Sequence, residues 1–76
     1  MNAILRHAVL VHLVLSEQHG WTRSTETLAQ RMDADADVLD EALRHLERMG
    51  RVTRTRCPEE WTVTAAGWSD VCGVAA

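Results

Sequence analysis

The 76 residues are 46% hydrophobic and 25% charged, and the three aromatics are all Trp (Trp21, Trp61 and Trp68). A chain of this length buries only roughly 60% of the surface its unfolded form exposes, so it holds one domain and no separate catalytic lobe, which argues against an enzyme. All eight cations are Arg against eleven acids, a net charge of −3, whereas a small nucleic-acid binder ordinarily carries a basic excess because phosphate neutralisation supplies its non-specific affinity.

Residues 2–19 contain no Pro or Gly and stop at Gly20, which predicts a first helix. From Ala3 to Leu15 ten of thirteen residues are apolar. That run is shorter than the roughly 20 residues a bilayer needs. His12 interrupts it, only Arg6 and His7 supply positive charge, and no small-residue cleavage site follows, so it reads as a buried helix rather than a membrane or targeting segment. On a 100° wheel Ile4, Ala8, Val11 and Leu15 share one face while Val9, Leu10, Leu13 and Val14 spread over the rest. A helix apolar nearly all round needs a second cover. Two arrangements supply one: packing against the C-terminal segment around Trp68 and Val71, or a homodimer seam through Leu10, Leu13 and Val14.

Trp21 to Arg23 reads as a short strand, and Ser24 or Thr25 caps a second helix reaching about Met32 with Leu28, Ala29 and Met32 inward. Asp33 to Asp35 form a turn. Asp35 caps a third helix from Ala36 to Met49, whose Leu39, Ala42, Leu43, Leu46 and Met49 recur at the period of an inward face before Gly50 ends it. Residues 52–56 and 61–64 alternate with period two and read as strands joined by a tip at Cys57, Pro58, Glu59 and Glu60. Residues 68–76 are expected as a C-terminal tail of the single domain, with 73–76 frayed.

The stretch TLAQRMDADADVLDEALRHLERMGRV, followed by WTVTAAG, resembles a bacterial or phage winged helix-turn-helix domain over roughly residues 4–67. The resemblance implies an α+β fold: a three-helix bundle with a β-hairpin wing, ordered helix-strand-helix-helix-strand-strand. Ala29 stands where the second helix approaches the third, and Leu39 and Leu43 take inward positions. Asp33 occupies a turn position where the family usually has Gly; Asp tolerates positive φ better than most residues.

In DNA-binding members the third helix enters the major groove with its N-terminal exposed residues against bases and phosphates. Here those positions hold Asp37, Val38, Asp40 and Glu41, and residues 33–41 carry five acids and no Arg. One acid can accept from a cytosine amino group, and acids in a first helical turn stabilise its dipole by roughly 0.3–1 kcal/mol each, which accounts for Asp35 and Asp37 but less well for Asp40 and Glu41. Five acids weaken attraction to a polyanion. From Arg44 to Arg56 the net charge is +4. Asp37, Glu41, Arg44 and Arg48 line one ridge, Asp40 is spaced to pair with Arg44, and Arg54 and Arg56 stand on the wing.

His7, His12, His19 and His45 lack a His or Cys partner at metal-ligand spacing, and Cys57 and Cys72 form no CxxC pattern, so no metal, cofactor or catalytic residue is expected and a reduced cytoplasmic setting follows. Small winged-helix accessories of ferrous-iron transport place several cysteines in the wing; one Cys there is too few. No phosphate loop or nucleophile elbow is present. The expectation is a non-enzymatic module that binds protein through Asp37, Asp40, Glu41, Arg44, Arg48, Arg54 and Arg56, as an adaptor or as a phage-type inhibitor of a host nucleic-acid-binding complex, such as an anti-CRISPR. The alternative is a dimeric DNA-binding regulator that uses the third helix and the wing.

Overall fold

The computed structural model describes residues 3–56 and 59–73. Among them the elements run α1 (Ala3–His19), α2 (Thr25–Met32), α3 (Ala36–Arg48), β1 (Val52–Arg56), β2 (Glu59–Val63) and α4 (Ala65–Cys72). The class is α+β. Local chemistry sets the helix starts: Ser24 Oγ accepts the Thr27 N–H at 3.2 Å and Asp35 Oδ1 accepts the Asp37 N–H at 2.8 Å. Asp33 closes α2 in the left-handed region, at φ 52° and ψ 48°, as the turn requires of the residue there.

Val9, Leu10, Leu13 and Val14 of α1 meet Leu28 and Ala29 of α2 and Leu39, Ala42, Leu43 and Leu46 of α3 in one core, closed on the remaining side by Val52, Trp61 and Val63 of the hairpin. β1 and β2 pair antiparallel, with Val52 opposite Val63, Arg54 opposite Trp61 and Arg56 opposite Glu59. Alternation along β2 sends Trp61 and Val63 inward.

Four expectations are corrected. Residues 21–24 form no strand, so helices alone precede the hairpin and the order helix-strand-helix-helix-strand-strand does not hold. A single backbone bond joins this segment to β2, from Trp61 N–H to Arg23 O at 3.0 Å, and one bond makes no ladder. On α1 the buried stripe is the one centred on Leu10, Leu13 and Val14, while Ile4 and Leu15 are exposed. Leu10, Leu13 and Val14 are therefore not a dimer seam: they are 3%, 0% and 4% exposed and already occupied by the chain's own core. Met49 is not inward; it ends α3 as its C-cap and is exposed.

The fourth correction concerns the expected tail, which is helical to Cys72. Thr64 caps α4 by accepting the Gly67 N–H at 3.2 Å, and Gly73 ends it at φ 60°. Trp68 and Val71 pack on the core, and α4 lies against α1. The second cover for α1 thus comes from within the chain. Arg51 Nε meets Asp70 Oδ2 at 2.5 Å, off the N–H direction, so the pair is a charge contact rather than an aligned hydrogen bond. Cys72 is exposed, and Cys57 lies outside the described residues, as do residues 74–76. No helix among the described residues is long and apolar enough to cross a membrane.

Candidate functional site

The expected contact residues fall on α3 and the hairpin. Asp37, Glu41, Arg44 and Arg48 are exposed on α3, and Asp40 is half-buried beside them. Arg44 Nε donates to Asp40 Oδ2 at 2.7 Å. That hydrogen bond and the Asp40 charge, with further help from Glu47 and Glu59, raise the Arg44 pKa above its ordinary value. β1 packs against α3, which sets the hairpin beside that helix. The acidic start of α3 has a different neighbour, a shallow groove lined by Glu26, Ala29, Gln30, Asp33, Ala34 and Ala36.

On the hairpin, Arg54 lies over Trp61, with Cζ 5.0 Å from the ring centroid, and its Nη1 donates to Glu59 Oε1 at 3.3 Å. Two-residue periodicity puts Arg56 on the same face, and Arg56 has no ion pair among the described residues. Arg54, Thr55, Arg56 and Glu59 line a shallow concavity. Of the four arginines singled out, Arg44 and Arg54 are engaged by the chain's own acids. Arg48 and Arg56 have none within reach among the described residues.

A second set of polar residues, not singled out from the sequence, holds the hairpin in place. Arg23 Nε donates to Trp61 O at 2.9 Å and its N–H to Glu60 Oε2 at 2.9 Å, while its guanidinium also lies 4.0 Å from Glu17 and 3.9 Å from Glu60. Glu17 Oε1 accepts the Val63 N–H at 3.0 Å, and Trp61 Nε1 donates to Thr25 Oγ1 at 3.0 Å. The hydrogen bonds to the hairpin span 36 to 46 residues of sequence, beyond the reach of any local pattern. Buried Trp61 was the only sequence signal for them.

Trp21, expected in a strand, stacks on His19 with centroids 4.5 Å apart and planes at 16°, and Arg31 lies 5.3 Å from its ring. Arg31 is tied to Ser16 Oγ and the Thr22 carbonyl, so this stack fastens the α1–α2 connection. Arg6 Nη1 donates to His45 Nε2 at 2.8 Å, which occupies the one histidine on α3. Among the described residues no three His, Cys, Asp or Glu side chains converge to hold a metal ion. Neither any protein-family model nor any curated protein matches this chain.

Proposed function

We propose that this chain is a non-enzymatic binding module of winged-helix type that acts through protein contact, as an adaptor or an inhibitor. The observation that carries the reading is the charge at the start of α3. Asp37 and Glu41 are exposed there, Asp40 stands beside them, and Arg44, one turn further along α3, is drawn onto Asp40. A surface of that sign repels phosphate and attracts a basic protein surface. The cationic ridge end and hairpin, with Arg48, Arg54 and Arg56, offer the opposite sign to the same partner. This supports a two-signed protein interface over a DNA-reading helix, which needs Arg or Lys where the acids stand.

Titration with duplex DNA across salt concentration tests it. The expected result is no binding at physiological salt. Binding with a steep salt dependence that shrinks in Arg54→Ala or Arg56→Ala would instead make the chain a DNA-binding regulator. On the protein side, Asp40→Lys/Glu41→Lys is expected to abolish capture of the partner, and undiminished capture would remove the α3 ridge from the interface.

A further inference from the structure

Two hydrogen bonds fix which way the hairpin backbone faces. The Trp61 N–H points away from β1, to Arg23 O at 3.0 Å, and the Val63 N–H also points away, to Glu17 Oε1 at 3.0 Å. Thr64 N–H, by contrast, reaches across to Arg51 O at 3.0 Å. In an antiparallel pair, residues alternate between those that exchange bonds with their opposite number and those whose backbone groups both point outward. Trp61 and Val63 are in the outward set, so their partners Arg54 and Val52 are too, and Arg56 shares their phase.

The two edges of this hairpin are consequently unequal. The β2 edge is closed by Arg23 O and the Glu17 carboxylate. On the β1 edge, no group among the described residues takes the outward N–H of Arg54 or Arg56 or donates to their carbonyls. An open edge of this kind is a template for another strand. The side chains at the same two positions select what pairs with it. A second copy added antiparallel would bring Arg54 and Arg56 against one another's counterparts, and like charges directly opposite are unfavourable. An incoming strand with acids at alternate positions would face both arginines on one side of the sheet. Arg54 is already held against Trp61 and Glu59, so little of its freedom is lost on binding.

We propose that the open edge of β1 from Arg54 to Arg56 is a strand-addition site for an extended acidic segment of a protein partner, with acids two residues apart. It rests on the protein-binding reading above and adds where and how the cationic end of the interface engages. Glu59 lies on the β2 side of Arg54, leaving the opposite side to the incoming strand; it competes for Arg54 without blocking the edge.

The test uses a blocked eight-residue peptide alternating Glu and Thr, added to the full chain and followed by amide shifts and hydrogen exchange. The expected result is at least tenfold protection of the Arg54 and Arg56 amides. Two N-methylated versions, one for each alternate set of peptide amides, should differ at least tenfold in affinity, since only one set faces the β1 edge. A peptide with Lys in place of Glu should not bind, Arg56→Glu should abolish binding, and Glu59→Gln should strengthen it severalfold. Equal affinity of the two N-methylated peptides, binding without protection of those two amides, or no binding at millimolar peptide would each overturn strand addition. Partner capture by Asp40→Lys/Glu41→Lys is measured in parallel. If the peptide fails while that double variant still loses partner capture, strand addition falls and the protein-binding reading stands.

Discussion

Arg6 and His45 meet between α1 and α3, and the chemistry of that contact dictates a protonation state. A guanidinium has only donors, so His45 Nε2 must accept and the ring must be neutral with its proton on Nδ1. The His45 pKa is lowered, first because burial disfavours the imidazolium and then because Arg6 and Arg48 repel it. With the folded pKa below the unfolded one, the unfolded chain binds more protons in between, so this contribution is complete above about pH 6.5 and is lost as pH falls from there toward the lowered value. The urea midpoint should therefore drop between about pH 7 and pH 5, and His45→Gln should flatten that drop. An equally steep profile in His45→Gln would show that the contact contributes nothing. In the sequence His45 is a histidine without a nearby partner, because its partner stands 39 residues away.

At the scale of elements, α4 depends on one missing side chain. A Cβ on Gly67 would stand 2.6 Å from Val63 Cγ1 and closer still to the Arg51 carbonyl oxygen. That oxygen is fixed by its bond from Thr64 N–H. Alanine would improve helix propensity by up to about 1 kcal/mol, but overpacking against backbone costs roughly 1–3 kcal/mol, and the clash prevails. Gly67→Ala should lower stability and raise hydrogen exchange in α4, and unchanged stability would show that α4 shifts without loss. Here the sequence is silent for a physical reason. Nothing local in the sequence marks Gly67, and only the close approach of the α3–β1 connection makes it a packing residue. α2, α3 and β1 were legible because their caps, periods and alternation are local.

For the molecule as a whole, the burial of one face of α1 bears on the assembly. Leu10, Leu13 and Val14 are buried within the chain and α4 lies against α1, so the apolar area of that expected seam is already removed from water. Light scattering should give a mass near 8.5 kDa at high micromolar concentration; a mass near twice that would place a seam elsewhere on the surface. The same scale shows why net charge says little. The −3 total conceals an acidic start of α3 and a cationic second half that continues through β1. Those segments are separate in sequence, and their order alone distinguishes them.

Sequence by itself determined the starts of α2 and α3, the hairpin and the segregated charge, since capping, periodicity and residue type act over a few positions. Tertiary structure decided which stripe of α1 is inside, that the final segment is a helix packed on the core, and that Arg54 is engaged while the β1 edge is open. A helix apolar on several sides carries no local mark of which side has a neighbour. Hydrogen-bond phase along a strand is likewise set by what it pairs with, here by Arg23 and Glu17 from elements distant in sequence.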